Sequence, residues 1–181
     1  MKQILHIIAF SLIWASGFAQ LEKWTLKSEN SQISYKARHL LHPWEGVNTQ
    51  VKAIAKINTE DQTFQELAVL TLVRDFDSKN TGRDAHALEV LEALSYPEVR
   101  FYANSFQMER DSIQIQGTLD FHGVSKPLLA KAYLLKEKKQ WILTGKFKIQ
   151  PTAFEVTLPS FMLVKMEDEL LFDYRLIFQK P

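Results

Sequence analysis

The sequence predicts an all-β fold of eight antiparallel strands with one inserted helix, and three observations lead to this class. Eight segments alternate apolar and polar residues with the period of two that is typical of half-buried strands. Short polar stretches that contain glycine, proline or charged residues separate many of these segments, as they do in sequential hairpins. The segment 84–94 is the exception, because its leucines recur at helical spacing.

Residues 1–19 are predicted to be a signal peptide that is cleaved from the exported protein. An apolar run at residues 4–15 follows the positive charge of Lys2. Gly17 and Ala19 place small residues three positions and one position before the cut, as signal peptidase requires. The run is too short to span a bilayer, so no transmembrane anchor is expected. The predicted location is the periplasm of a bacterium or its secreted fraction.

Residues 20–181 are then expected to form one domain, because a chain of about 160 residues can bury roughly 70% of its surface around a single core. The whole sequence contains 22 lysines and arginines and 21 aspartates and glutamates, and removal of Lys2 makes the two numbers equal. This balance argues against a nucleic-acid partner, which requires an excess of positive charge. Cysteine is absent, which excludes disulfides, thiol catalysis and zinc-cysteine sites.

The predicted strands follow one another as an antiparallel meander requires, with short turns between neighbours. The alternation is clearest in the fifth, seventh and eighth strands, whose apolar faces carry aliphatic and aromatic side chains. In chain order the strands are residues 32–38, 47–57, 67–75, 99–106, 112–121, 128–136, 140–149 and 169–179.

One helix is predicted between the third and fourth strands. Leu88, Leu91 and Leu94 recur at helical spacing, and the Asp84 side chain can cap the first turn. Pro97 prevents the helix from continuing into the next strand. The helix is therefore expected to begin at Asp84 and to end at Leu94.

Eight antiparallel strands in one small domain either close into an up-and-down barrel or divide into a sandwich. Gly117 and Gly145 lie in the middle of clear strands, on their apolar faces. A glycine in a strand interior often marks a barrel corner or the close approach of a ligand. The two glycines therefore favour a barrel, and an eight-stranded barrel can hold one small apolar ligand.

Motifs along nearly the whole of residues 20–181 share the order and spacing of one protein family. They are Trp24-Thr25-Leu26, Ser31-Gln32-Ile33-Ser34-Tyr35-Lys36-Ala37-Arg38-His39, Asn80-Thr81-Gly82-Arg83-Asp84-Ala85-His86, Tyr96-Pro97-Glu98-Val99-Arg100-Phe101, Gly117-Thr118-Leu119-Asp120-Phe121-His122-Gly123-Val124-Ser125-Lys126-Pro127 and Pro159-Ser160. In these motifs the chain resembles the YceI-like proteins, which are exported polyisoprenoid-binding proteins. The resemblance implies an eight-stranded lipocalin-like barrel that holds a polyisoprenoid, an isoprenoid quinone or another long amphiphile.

In such a barrel the apolar strand faces become the walls of an elongated slot. The same side chains would form an ordinary packed core if there were no lumen, and this alternative stays open. A hydrocarbon chain needs a surface that excludes water, and the aromatic side chains supply one. The residues predicted to line the lumen and bind the ligand are Tyr35, Phe101, Ile115, Gly117, Leu119, Phe121, Trp141, Leu143, Gly145, Phe147, Phe172 and Tyr174.

Arg83, Asp84 and His86 form the polar cluster that is most suggestive of chemistry. A nucleophilic mechanism would need a serine or threonine activated by histidine, and the sequence contains no Gly-x-Ser-x-Gly motif. We therefore expect no catalytic residue. Asp84 already has a role as the helix cap and His86 lies in the first helical turn, so the leading interpretation of this cluster is structural. The alternative is that Arg83 and His86 contact a lipid head group at the mouth of the barrel.

His39 and His42 have the spacing of a metal-binding pair on one helical turn, which His86 or His122 could complete. Pro43 follows directly and disfavours helical geometry at His42. No metal site is expected, and no cofactor other than bound lipid.

The leading interpretation is a lipid-binding module that sequesters or carries one tail, not an enzyme. One alternative is an enzyme that acts on the same lipid, with His86 or His39 as general base. Another is a barrel filled by its own side chains, which would act through protein contacts on its outer surface. A homodimer is compatible with each of these interpretations.

Overall fold

The computed structural model describes residues 20–39, 42–161 and 163–181, and for Phe161 it describes the backbone alone. The predicted signal peptide, residues 1–19, lies outside these ranges. Most of the described chain is strand. The strands are β1 (Leu21–Leu26), β2 (Gln32–Arg38), β3 (Pro43–Asn48), β4 (Lys52–Asn58), β5 (Thr63–Leu72), β6 (Glu98–Glu109), β7 (Ser112–Phe121), β8 (Val124–Lys136), β9 (Gln140–Ile149), β10 (Ser160–Phe161), β11 (Val164–Lys165) and β12 (Leu170–Gln179).

One antiparallel sheet closes on itself to form an eight-stranded barrel. β1 and β2 are successive halves of one barrel strand, separated by a single 3-10 turn at Ser28–Asn30, and β3 and β4 are halves of the next. β5, β6, β7, β8, β9 and β12 follow in order around the barrel. β12 closes the ring, because its residues 171–175 pair with β2 and its Phe178 and Gln179 pair with β1. The predicted eight-stranded antiparallel barrel is confirmed.

The inserted helix is present, but its ends differ from the prediction. Helix α1 spans Thr81–Val90, so it begins before Asp84 and ends before Leu94. The cap is Asn80, whose side chain accepts a hydrogen bond from the backbone of the first turn at 2.9 Å. The Asp84 carboxylate instead accepts from the Ser78 backbone N–H at 3.1 Å. Leu94 lies in the following loop with its side chain fully exposed.

The interior of the barrel is packed solid in one half only. Trp24, Phe64, Trp141 and Phe178 are each at most 4% exposed, and their rings contact one another. We call these four residues the aromatic plug. The plug closes the end of the barrel at which β9 begins and β12 ends, whereas α1 lies across the opposite end. Within the part of the chain that the structure describes, no helix is long and apolar enough to cross a membrane.

Candidate ligand-binding cavity

A cavity of about 230 Å³ lies inside the barrel, between the aromatic plug and α1. Strands on every side contribute to its wall, and α1 covers one end. Most of the wall is aliphatic or aromatic, which gives the cavity the surface that a hydrocarbon tail requires. Of the residues predicted to bind the ligand, those on the wall are Tyr35, Phe101, Ile115, Leu119, Phe121, Phe147, Phe172 and Tyr174. Their contact with a ligand stays a prediction.

Aromatic rings from β9 and β12 form one side of the wall. Phe147 and Phe172 stack with their ring centroids 4.9 Å apart and their planes 6° from parallel. The ring of Tyr174 lies 6.1 Å from that of Phe147. Phe147 and Phe172 meet because they are paired across the two strands, and Tyr174 lies two residues further along the same face of β12. The three rings together present a continuous apolar surface.

Tyr174 contributes its aromatic ring to this surface, but its hydroxyl group is not reactive. Its hydroxyl group donates to the Lys131 carbonyl oxygen on β8, at 3.4 Å. Burial raises the pKa of Tyr174 far above its ordinary value, because the phenolate would be removed from water. The hydroxyl therefore stays protonated, and Tyr174 is a wall residue rather than a general base.

Gly117 and Gly145 do not line the cavity, contrary to the prediction. Each makes room for a neighbouring aromatic ring instead. A Cβ added at Gly145 would lie 2.5 Å from the Tyr174 hydroxyl oxygen, and one added at Gly117 would lie 2.7 Å from the Cζ atom of Phe101. Backbone carbonyl oxygens of Lys131 and Tyr102 lie closer still to the two added atoms. These glycines therefore permit close packing of the wall, and a side chain at either position would collide with the wall.

Trp141 and Leu143 are also absent from the cavity wall. Trp141 belongs to the aromatic plug, with its ring 5.3 Å from the ring of Phe64. Leu143 is completely buried and is paired with Leu176, which lies at the edge of the cavity. Both side chains point inward, as the alternation predicts, but they lie in the filled half of the barrel. The period of a strand identifies the inward face and carries no information on how deep the filling extends.

Polar groups gather at the α1 end of the cavity. Arg83 on α1 donates from Nε to the Ser78 hydroxyl at 2.9 Å and from Nη2 to the Ser78 carbonyl oxygen at 3.2 Å. Asp84 accepts from the Ser78 backbone N–H. The guanidinium of Arg83 lies 5.8 Å from the centre of the Trp44 ring, a cation–π contact. One positive and one negative charge are thus fixed beside the wall, and both reach the cavity.

Tyr35 connects this polar end to the apolar wall. Its ring lies 5.6 Å from the ring of Phe76 and 6.5 Å from that of Phe172. Burial is the main cause of the raised pKa of Tyr35; a hydrogen bond with Trp44 lowers that pKa, while the charge of Asp84 raises it. The hydroxyl is therefore neutral, and the residue lies between the apolar wall and the polar α1 end of the cavity.

His86 lies on the rim of the cavity and is largely exposed. Its side chain is 62% exposed, and its Nδ1 atom lies 3.5 Å from a carboxylate oxygen of Glu89. The backbones of His39 and His42 exchange two hydrogen bonds, which is the pattern of paired strands and not of a helical turn. His39 Nε2 lies 3.1 Å from the Val164 carbonyl oxygen. Among the residues that the structure describes, no three histidine, aspartate or glutamate side chains are grouped as metal ligands.

The sequence patterns missed the part of the wall that comes from α1, from the loops and from the edges of the strands. These segments have no period-two alternation, and only the helical spacing of Leu88 and Leu91 indicated burial. The residues concerned include Trp44, Phe76, Ala87, Val90, Pro159 and Met166.

Similar proteins share this architecture. The crystal structure of BcnA from Burkholderia cenocepacia superposes with a TM-score of 0.76 at 16% identity, over 84% of this chain and 98% of that one. A polyisoprenoid binding domain from Saccharophagus degradans, implicated in plant cell wall breakdown, gives a TM-score of 0.69 at 11% identity, over 87% of this chain and 98% of that one. At such identities the likeness establishes a common fold.

Sequence comparison identifies the family. Protein YceI of Salmonella newport (strain SL254) is 23% identical over 139 residues, which are 74% of this chain and 73% of the relative. The model of the YceI-like domain matches residues 24–178, and this range includes every barrel strand from the middle of β1 to the end of β12, apart from the last residue. The chain therefore belongs to the YceI-like family.

Proposed function

We propose that the protein binds the hydrocarbon tail of one amphiphilic lipid inside the barrel and acts as a lipid carrier or store. The observation that carries this proposal is the apolar cavity between the aromatic plug and α1. Burial of a methylene group in such a cavity contributes about 0.8 kcal/mol to binding, so a tail needs few other contacts. The polyisoprenoid binding named for the Saccharophagus degradans domain supports a lipid ligand of this kind.

The polar groups at the α1 end suit the head group of the same lipid. Arg83 and His86 both reach the cavity there, beside Tyr35 and Asp84. A head group at this end would keep contact with water and with the fixed charges, whereas its tail would extend toward the plug. The observed arrangement supports a binding protein and gives no support to an enzyme, because His86 is exposed and pairs with Glu89.

We also propose that the protein is exported, on the pattern of residues 1–19. Sequencing of the N-terminus after purification from its own host tests this directly. A first residue of Gln20, free or cyclised, is expected. An intact Met1 on exported protein would contradict it.

Native mass spectrometry of the protein purified from its own host tests lipid binding. We expect a bound mass that organic extraction releases as a lipid. Leu128→Trp enlarges a side chain on the cavity wall and should remove the bound mass. Leu129→Trp is the matched control, because the neighbouring Leu129 is 55% exposed on the outside of the barrel, and it should retain the lipid. A folded Leu128→Trp variant with full lipid content would contradict the proposal.

A further inference from the structure

The two ends of the cavity are closed by different parts of the protein, one by the aromatic plug and the other by α1. At one end the four side chains of the aromatic plug pack ring against ring, with Trp24 and Phe64 each 5.3 Å from Trp141 and Phe178 5.9 Å from Phe64. None is more than 4% exposed. Interiors packed in this way do not admit further groups without displacement of side chains. A tail that enters from the α1 end must therefore stop at the plug.

The strands that line the cavity give its length. On β12 the wall runs from Leu170 to Leu176, and on β7 it runs from Ile115 to Phe121. Six residues of strand extend about 20 Å, and a strand tilt of roughly 40° reduces this to about 15 Å along the barrel axis. A saturated chain with bonds of about 1.5 Å and angles near 111° advances about 1.25 Å per bond. The length of the cavity thus holds about twelve carbons.

The volume of the cavity gives a second figure. The cavity measures about 230 Å³, and one water-sized group requires about 10–15 Å³ of a cavity volume of this kind. The volume thus holds at least about fifteen such groups. The length is therefore the tighter of the two limits, and it restricts the buried tail to about twelve carbons.

We propose that the aromatic plug is a ruler that limits the buried tail to this length, so that the protein prefers a medium-chain amphiphile with one tail. This inference rests on the proposed function, since it names the class of ligand for the same cavity. Each methylene up to the limit should tighten binding about fourfold, and each one beyond it should add nothing, because it has no apolar surface left to cover.

Two buried residues at the plug end allow the ruler to be moved in either direction. Leu176 lies on the wall two residues before Phe178 on the same face of β12, and is 3% exposed. Ala130 on β8 also lies on the wall, beside its pairing partner Ile115 on β7, and is 4% exposed. Leu176→Ala removes three carbons from the floor of the cavity, and Ala130→Leu adds three. The limit should move by about three carbons, longer in the first variant and shorter in the second.

The test is calorimetric titration of the delipidated protein with straight-chain fatty acids from about 6 to about 18 carbons, repeated with primary alcohols of the same lengths. We expect the Kd to fall about fourfold per methylene to about twelve carbons and then to become constant, at the same length for both head groups. The limit should move as stated in Leu176→Ala and in Ala130→Leu. It should not move in the control Leu129→Ala, which removes the same three carbons from the outside of β8.

Two results would overturn the ruler and leave the proposed function standing. One is a Kd that keeps falling fourfold per methylene through the longest chain. The other is a limit that stays in place in both cavity variants. If Leu176→Ala proves unstable, Ala130→Leu still decides, because it fills space that already exists. The absence of binding at every length, by contrast, would defeat the proposed function itself and the ruler with it.

Discussion

The wall of the cavity should not tolerate even one extra carbon at Gly145. This residue pairs with Ala132 on β8 and with Tyr174 on β12, so a neighbour approaches it from both sides. In Gly145→Ala the new Cβ would lie 2.5 Å from the Tyr174 hydroxyl oxygen and 2.7 Å from Cζ, and closer still to the Lys131 carbonyl oxygen. The Tyr174 ring can relieve its share of the overlap only by moving into the cavity. The carbonyl oxygen can do so only if β8 and β9 separate locally.

We expect Gly145→Ala to lower the free energy of unfolding by about 1–3 kcal/mol, the usual cost of overpacking by one or more methyl groups. Urea denaturation at neutral pH, followed by tryptophan fluorescence, measures this change as a shift of the midpoint at constant slope. Displacement of the Tyr174 ring should also weaken lipid binding, because that ring forms part of the wall.

Gly82→Ala is the matched control, since it adds the same atom where there is room. Gly82 lies in the first turn of α1, and the nearest atom to an added Cβ is the Asn80 side-chain oxygen at 3.5 Å. Alanine restricts the unfolded chain and favours the helix, so this variant should gain about 0.4–1 kcal/mol. Our account of the wall would be refuted if Gly145→Ala were as stable as the parent protein while Gly82→Ala behaved as expected.

Two further predictions concern α1 and the outer surface. Asn80→Ala removes the cap of α1 and should lower the free energy of unfolding by about 0.5–2 kcal/mol, measured by thermal or urea unfolding. The control is Gln65→Ala, which changes an exposed residue on β5. If Asn80→Ala lost no more stability than this control, the result would count against the cap. The hydrogen bond from Lys146, together with that from Lys36, lowers the pKa of Asp173; Asp173→Asn should therefore cost about 0.2–1 kcal/mol at neutral pH. That difference should shrink as the pH falls below about 4, where the carboxylate of the unfolded chain begins to be protonated, and it should be lost once the pH is below the lowered pKa of the folded carboxylate. A difference independent of pH between about 6 and about 2 would contradict the assignment.

The sequence predicts the barrel well because alternation reports a local property, the face that each side chain occupies. Phe147 and Trp141 illustrate where this information ends. Both occupy the inward face of β9, yet Phe147 lies on the cavity wall and Trp141 lies in the plug. The difference depends on which residues of other strands arrive at the same level, since Phe64 and Trp24 fill the space beside Trp141. Pairing across strands decides this, and no local pattern records it.

The errors at the helix and at β1 also have physical causes. Asn80 and Asp84 are both good N-caps, and the outcome is decided by the Ser78 backbone N–H, which occupies the Asp84 carboxylate. Alternation does not predict β1, because Trp24 is the only fully buried residue of this strand. The strand exists because its backbone pairs with β4 and β12, which closes the barrel.

The central claim, that a lipid tail occupies the cavity with its end at the aromatic plug, is tested most directly by the position of the tail's last carbon. A crystal structure of the protein with a straight-chain fatty acid of about ten carbons, brominated at its terminal carbon, locates that atom by anomalous scattering. We expect one bromine peak inside the barrel, in contact with Leu176 and Ala130 at the plug end. A peak beside Arg83 and His86, or on the outer surface of the barrel, would contradict the claim.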